Sequence, residues 1–277
     1  MPVLNEIRPI YLSKFLPTIA KRFRFIQKRN CYSIFGIKDL VQHEKQPDSF
    51  SIVPVQSSNH ETAIRMAKRY FLTEHVFVRA RHMDLNNDRA IDEYIIGLLK
   101  QGNSLFAKTA DGTVAGFCIN FAASPVDPQN LRNYAYYRQD PNTKDFLYFT
   151  AKLQETPHLW NIFKEDKVFE IKMLAVLPEY RRQGLATMLA QKSKEQAKDQ
   201  GYKIVRMDCI NPYDHKIAER CMLSCLVKFP VHKLRGTNAP FIKKSSDHNT
   251  CLRVFVEAPV KQDAPNMKQI DFESMFE

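Results

Sequence analysis

The sequence predicts a mixed α/β (α+β) fold, in which an antiparallel N-terminal meander leads into a locally parallel pair of central strands, with helices flanking the sheet. Two observations support this prediction. Asp111-Gly112, a strong hairpin signal, joins two apolar stretches within residues 104–121. Further on, an apolar segment at 168–177 is followed by a helical pattern at 182–200 and by a second apolar segment at 203–210. Strand, helix and strand in this order predict a right-handed crossover and parallel pairing.

Apolar spacing and turn residues predict the remaining elements. Residues 123–166 contain four prolines among many aromatic side chains and show no regular period. The other predicted elements are a short strand at 51–55, helices at 60–72, 88–101 and 213–227, and closing strands at 227–234 and 251–258.

Composition and charge indicate one folded domain over residues 51–258, with a basic extension and linker at 1–50 and a polar tail at 259–277. The net charge of +11 is concentrated in two segments: residues 1–30 carry seven basic side chains against one acid, and residues 228–246 carry five and no acid. The rest of the chain is formally neutral, which argues against a nucleic-acid-binding surface spread over the domain.

The cysteines and the N-terminus bear on location. Six cysteines without a CxxC pair favour reduced thiols, hence a cytoplasmic protein. The basic and apolar extension also suits a mitochondrial presequence, although Pro9 and Pro17 would interrupt its helix. No apolar run is long enough for a membrane span. We expect no metal, because the one set of candidate ligands fits no usual zinc spacing: His215, Cys221, Cys225 and His232.

The most informative segment is Glu179-Tyr-Arg-Arg-Gln-Gly-Leu-Ala186, which lies between an apolar strand and a helix. A glycine in the first turn of a helix lets a ligand approach the backbone, and the free N–H groups there bind anions. Arg181 and Arg182 add positive charge at the same place. The expected ligand therefore carries phosphate groups, although neither common phosphate-loop pattern, GxxxxGK[ST] or GxGxxG, occurs in the chain.

The pattern R-x-x-G-x-A, with Arg181, Gly184 and Ala186, resembles the acetyl-CoA signature of the GNAT N-acetyltransferase superfamily, and the resemblance covers about residues 51–235. It implies a GNAT-type sheet in which the two central strands splay apart around the cofactor. It also implies acetyl-CoA as co-substrate, with backbone partners for its pantetheine arm and thioester at Leu174, Ala175 and Val176. The resemblance further assigns the pyrophosphate to Arg181, Arg182, Gln183, Gly184, Leu185 and Ala186, and a further cofactor contact to Asn211.

Within the superfamily, the chain is similar to the insect arylalkylamine N-acetyltransferases. Their motif F-F-x-D-E-P-L corresponds to Tyr70-Phe-Leu-Thr-Glu-His-Val76, so the resemblance makes Glu74 the general base, with His75 as the alternative base at the same place. The chain departs from these enzymes at Cys209-Ile-Asn-Pro-Tyr-Asp214, where they have C-S-S-H-Y-S. The general acid is therefore unassigned, with Tyr213 or a water molecule as candidates.

These patterns predict transfer of an acetyl group to a small primary amine, of the arylalkylamine or polyamine type, by direct attack in a ternary complex. His75, Tyr136 and Tyr148 are candidates for the amine pocket, although aromatic residues in such a stretch more often pack in the core or at its rim. Two alternatives remain open: acetylation of protein lysines, and a catalytically silent CoA-binding module with a regulatory role. The sequence does not predict the oligomeric state.

Overall fold

The computed structural model describes residues 49–86, 89–231, 234–235, 240–242 and 251–258. The expected extension at 1–50, apart from its last two residues, and the expected tail at 259–277 lie outside these residues. The strands are β1 (Phe50–Pro54), β2 (Leu105–Thr109), β3 (Val114–Ala123), β4 (Val168–Val176), β5 (Val205–Cys209), β6 (Ser224–Pro230) and β7 (Cys251–Glu257). The helices are α1 (His60–Met66), α2 (Val76–Arg81), α3 (Ala90–Leu99), α4 (Asp127–Tyr136), α5 (Pro141–Glu155), α6 (Leu159–Phe163), α7 (Leu185–Asp199) and α8 (Pro212–Arg220).

The seven strands form one sheet in the order β1-β2-β3-β4-β5-β7-β6. Strands β1 to β4 pair antiparallel in sequence order, as predicted for the meander. β4 and β5 are parallel, since α7 crosses between them, and β7 lies antiparallel between β5 and β6. The predicted mixed α/β fold is confirmed.

The two central strands pair over only part of their length. Phe169, Glu170 and Ile171 of β4 pair with residues 205–207 of β5, whereas β4 continues to Val176 in contact with β3 alone. The pairing with β3 shifts register after Ile119, which leaves Lys172 as an extra residue in β4. The strands therefore separate beyond Ile171, and residues 172–176 have a free edge.

Helices cover both faces of the sheet. One face packs against α1, α3 and α5, whose core side chains include Met66, Ile95 and Phe149. The other face packs against α7, through Leu185 and Leu189. Both apolar faces are thereby buried, and the separated ends of β4 and β5 lie between the two helical layers.

A buried arginine ties the centre of the sheet to α5. Arg206 of β5 is 1% exposed and donates to the carboxylate of Asp208 at 2.8 Å. Its two terminal nitrogens donate to the backbone carbonyls of Leu153, Gln154 and Thr156, at and just beyond the end of α5. Since a buried charge is costly unless it is paired, this arrangement holds α5 in place over the sheet.

The structure corrects the predicted elements in three places. Residues 123–166, which show no regular period, form α4, α5 and α6. The helix predicted over 60–72 ends as an α-helix at Met66 and continues as a π-helix at Ala67–Phe71 and a 3₁₀ turn at Leu72–Glu74. The helix predicted over 213–227 ends at Arg220, because Met222 adopts a left-handed φ of 61° and the residues from Ser224 pair with β7.

Among the residues that the structure describes, no helix is both long and apolar enough to cross a lipid bilayer.

Candidate active site

A cavity of about 480 Å³ opens where β4 and β5 separate. Its walls are the free end of β4 (Leu174, Ala175 and Val176), the residues that follow β5, the first turns of α7 and α8, and the segment from Tyr70 to His75. The cavity therefore brings together three segments that the sequence analysis selected separately: the free strand, the arginine- and glycine-containing loop, and the segment around Glu74.

The loop before α7 leaves the first turn of that helix open to a ligand. Gly184 is the N-cap residue of α7, has a φ of 80°, and provides no side chain to cap the helix. A Cβ atom placed on Gly184 would meet no other atom within 4 Å. The space in front of the first N–H groups is therefore clear, as an anion such as the pyrophosphate of CoA requires.

Four basic side chains line the same cavity. Arg181 and Arg182 precede α7, and Lys216 and Arg220 lie on α8. Lys216 and Arg220 are not among the site residues predicted above, although their i, i+4 spacing on a helix that begins at a capping asparagine is a usable sequence signal. The charge and the open helix end together fit a ligand with several phosphate groups, such as CoA.

Asn211 lines the cavity as the N-cap of α8. Its side-chain oxygen accepts hydrogen bonds from the backbone N–H groups of Tyr213 and Asp214, both at 2.9 Å. These bonds satisfy two donors that a helix start leaves without an intrahelical partner. The Asn211 side chain therefore shapes the cavity wall as a helix cap.

Glu74 ends the 3₁₀ turn after the π-helix and lies next to the loop that precedes α7. Its Oε1 atom is 3.1 Å from Nη2 of Arg181. The Arg181 Nε–H donates to the carbonyl oxygen of Val176, at the end of β4, at 3.0 Å. The predicted base, the predicted loop and the free strand are thus in direct contact through one guanidinium group.

His75 lines the cavity, but its environment does not suit a base. The ring is 7% exposed and makes edge contacts with Phe71, Phe146 and Phe149. Its Nδ1 atom accepts a hydrogen bond from the backbone N–H of Phe77 at 3.2 Å. Burial lowers the pKa of His75 to about 3, so the imidazole is neutral at physiological pH. His75 forms an aromatic wall of the cavity, and Glu74 is the better-placed proton acceptor.

Asp214, which the sequence analysis did not select, is a second carboxyl group of the cavity. It is 8% exposed, and burial raises its pKa to about 7, with a further contribution from the negative charge of Glu74. Its spacing from Asn211, as in a capping box, was the available sequence signal. Tyr213 beside it is 77% exposed.

The two tyrosines expected in the amine pocket lie elsewhere. Tyr136, at the end of α4, is 65% exposed and stacks edge-on against Tyr137. Tyr148, on α5, is half-buried and packs against the core. Neither side chain lines the cavity. Tyr70 and Phe71 supply its aromatic surface instead.

Comparison with known proteins agrees with this architecture. Residues 65–221 match the model of the family described as "Acetyltransferase (GNAT) family".

Solved structures with the same fold include the mosquito arylalkylamine N-acetyltransferase like 5b, at 19% identity and a TM-score of 0.69, covering 76% of this chain and 99% of that chain. Arylalkylamine N-acetyltransferase 2 from Aedes aegypti gives 19% identity and a TM-score of 0.67, covering 76% and 99%. A Drosophila melanogaster polyamine N-acetyltransferase that forms N-acetylagmatine gives 14% and 0.68, covering 76% and 100%.

Proposed function

Because this chain belongs to the acetyltransferase (GNAT) family and is a transferase, we propose that it transfers the acetyl group of acetyl-CoA to a small primary amine, of the arylalkylamine or polyamine type. One observation carries the proposal. A carboxylate, that of Glu74, and an open anion-binding helix end, that of α7, line one cavity together with the free end of β4. These are the groups that a phosphate-bearing acyl donor and an amine nucleophile need.

The residues of the cavity divide into those that would hold each part of acetyl-CoA. The N–H groups from Gly184 to Thr187 and the side chain of Arg182 would hold the pyrophosphate of acetyl-CoA. Lys216 and Arg220 would bind its third phosphate group, which is not part of the pyrophosphate. The free edge at 174–176 would bind the pantetheine arm. When bound, acetyl-CoA supplies an acetyl thioester as the acyl donor.

Glu74 would remove the proton that makes the amine unreactive. A primary ammonium has no lone pair for attack, so a carboxylate within reach, directly or through a water molecule, must accept that proton. The backbone N–H of Val176 would bind the carbonyl oxygen of the thioester and stabilise the negative charge that develops on it. This N–H faces the free edge of β4, because the N–H of the next residue, Leu177, donates to Ala115 of β3 and successive N–H groups of a strand point to opposite edges.

Direct attack by the amine agrees with the state of the nearest cysteine. Cys209, at the end of β5, has no exposed surface. Burial raises the pKa of its thiol well above the usual value, so the reactive thiolate is not formed at neutral pH. A covalent acetyl-cysteine at this position is therefore disfavoured, and both substrates would occupy the cavity together.

The lining of the cavity favours a cationic and partly apolar amine. Tyr70, Phe71 and His75 provide aromatic surface, and Glu74 and Asp214 provide carboxyl groups. A protonated amine interacts favourably with both kinds of group. Structural neighbours named for arylalkylamines and for agmatine support the same two classes of substrate.

A panel of acceptors tests the proposal. Thiol release from acetyl-CoA would be followed with tyramine, dopamine, tryptamine, agmatine, spermidine and histone peptides, alongside calorimetry with CoA. We expect turnover with at least one small amine. Turnover with peptides alone would instead identify a protein-lysine acetyltransferase, and CoA binding without turnover of any acceptor would identify a silent CoA-binding module.

A further inference from the structure

Arg181 makes two contacts that link opposite sides of the cavity. Its Nη2 atom lies 3.1 Å from Oε1 of Glu74, and its Nε–H donates to the Val176 carbonyl oxygen at 3.0 Å. Glu74 and Arg181 are 107 residues apart in the chain. One planar group thus joins the segment that carries the carboxylate to the free end of β4.

From these contacts, and resting on the proposed function, we propose that Arg181 is a positioning residue: its guanidinium holds the Glu74 carboxylate beside the end of β4, where the thioester carbonyl would lie. Nε and Nη2 belong to the same rigid guanidinium fork, so the two oxygens that they bind are held close to each other. The resemblance to the family signature implied a contact of the Arg181 backbone N–H with the pyrophosphate, which does not involve the side chain.

The neighbouring groups make a phosphate-binding role for the Arg181 side chain unnecessary. The open N-terminus of α7 and the side chains of Arg182, Lys216 and Arg220 already provide an anion site in the same cavity. The side chain of Arg181 is instead committed to a carboxylate and to a backbone carbonyl.

Fold stability does not explain the Arg181–Glu74 pair. The two side chains are 44% and 59% exposed, and ion pairs at such exposure contribute little to the free energy of unfolding. Positioning of the Glu74 carboxylate is a stronger reason for the contact, since small displacements of a reacting group lower the reaction rate sharply.

The test is a double-mutant cycle of Arg181→Gln and Glu74→Gln, with Arg182→Gln as the matched control from the same loop. Each variant is measured for kcat, for KM of both substrates, for the Kd of CoA by calorimetry, and for Tm. We expect Arg181→Gln to lower kcat roughly tenfold to a hundredfold, the size expected for a misplaced reacting group. Its Kd for CoA and its Tm should stay close to those of the parent protein.

The cycle separates the two roles. If Arg181 acts through Glu74, the double variant is no slower than Glu74→Gln alone. Arg182→Gln should do the opposite. It should weaken CoA binding, and the factor by which it lowers kcat/KM should multiply with the factor for Glu74→Gln. The proposal is overturned if Arg181→Gln weakens CoA binding as Arg182→Gln does, or if its loss multiplies with that of Glu74→Gln.

The proposed function and this inference fail in different ways. If the parent protein acetylates no amine, or if Glu74→Gln keeps the parent rate, the proposed function is wrong in its substrate or its base. A crystal structure of Arg181→Gln then decides the positioning role without any activity. Glu74 displaced from Val176 supports it, and Glu74 in its original place overturns it.

Discussion

Asn211 and Asp214 hold each other at the start of α8: the Asn211 side-chain amide donates to the Asp214 carboxylate, and the Asn211 side-chain oxygen accepts from the Asp214 backbone N–H at 2.9 Å. This reciprocal contact begins the helix and also keeps a carboxyl group buried in the wall of the cavity. The helix cap, Asn211, and a titratable group of the candidate site, Asp214, are therefore direct hydrogen-bond partners.

Asp214 should make the stability of the protein depend on pH. Burial raises its pKa from 3.8 to about 7, so between these values the folded protein holds a proton that the unfolded chain has lost. The contribution of the buried, protonated Asp214 to the free energy of unfolding is complete below about pH 4 and disappears as the pH rises through about 7. Asp214→Asn should remove this part of the pH dependence and raise the free energy of unfolding at pH 8 by about 1 to 4 kcal/mol.

Urea unfolding of the parent protein and of Asp214→Asn at pH 5 and pH 8 measures this effect. Asp166→Asn, a change at an exposed carboxylate in the turn before β4, is the control and should leave the pH dependence as it is. Equal destabilisation of Asp214→Asn at both pH values would mean that the carboxyl group acts only as a hydrogen-bond partner of the cap residue Asn211.

Gly184 should be required for CoA binding through the space that it leaves. Gly184→Ala adds a Cβ atom to a residue that lines the cavity at the start of α7 and strains its left-handed backbone, and we expect the Kd for CoA to rise at least about tenfold. Gly112→Ala is a matched control: Gly112 lies in the β2–β3 hairpin, has a φ of 85°, and also has no atom within 4 Å of an added Cβ. Both variants should lose similar stability, about 1 kcal/mol, whereas only Gly184→Ala should lose affinity in calorimetry. Parallel losses of affinity would contradict the role of Gly184.

Glu74→Gln should abolish most of the rate while leaving CoA binding intact. An amide cannot accept the ammonium proton, and removal of a general base costs roughly a hundredfold to ten-thousandfold in rate. The measurement is kcat against pH, together with the Kd of CoA. Glu61→Gln, at an exposed position in the first turn of α1, serves as the control. A rate and a pH profile like those of the parent protein would exclude Glu74 as the base.

Arg220 should contribute to CoA affinity by charge. Arg220→Ala removes a cation at the mouth of the cavity, and we expect the Kd for CoA to rise roughly twofold to fivefold at low salt. The difference should shrink as the salt concentration rises, because mobile ions screen exposed charges. Lys198→Ala, in the last turn of α7, removes a cation that does not line the cavity and should have no effect. An affinity unchanged by Arg220→Ala at every salt concentration would remove Arg220 from the site.

Arg206 should be among the most costly residues to replace. Arg206→Met leaves the Asp208 carboxylate and three backbone carbonyls without their donor, and we expect a loss of about 3 to 5 kcal/mol in urea unfolding. Lys203→Met serves as the control: it breaks the exposed ion pair between Lys203 and Glu165 and should lower the free energy of unfolding by less than about 1 kcal/mol. A small loss for Arg206→Met would show that the other contacts of α5 hold it in place without Arg206.

Helices α4 and α5, which were not predicted, show that proline can stand at the start of a helix as well as in a loop. No element was predicted for the proline-containing residues 123–166, but Pro128 and Pro141 lie in the first turns of α4 and α5, where a missing N–H costs nothing. Asp140 caps α5 by accepting from the N–H of Thr143. The helix starts were therefore encoded locally, and only the packing of Phe146 and Phe149 against the core distinguishes them from loops.

The pattern of residues along the chain was sufficient to predict the order of the central elements and the position of the loop before α7. Both depend on neighbouring residues: an apolar strand, Gly184 with its left-handed φ, and a helix that follows directly. Glu74 was predicted in another way, from the resemblance of residues 70–76 to a short family motif. Local patterns of this kind are readable because the interactions that they specify lie within a few residues along the chain.

The way in which these segments come together in a site depends on tertiary packing. The contact of Arg181 with Glu74 joins residues that are distant in sequence. The contact of Arg181 with Val176, the separation of β4 from β5 and the burial of Asp214 depend on the elements that pack around them. The same packing lowers the pKa of His75 and keeps Tyr136 out of the cavity. Burial and long-range contact arise when whole elements pack together, so residue spacing alone does not specify them.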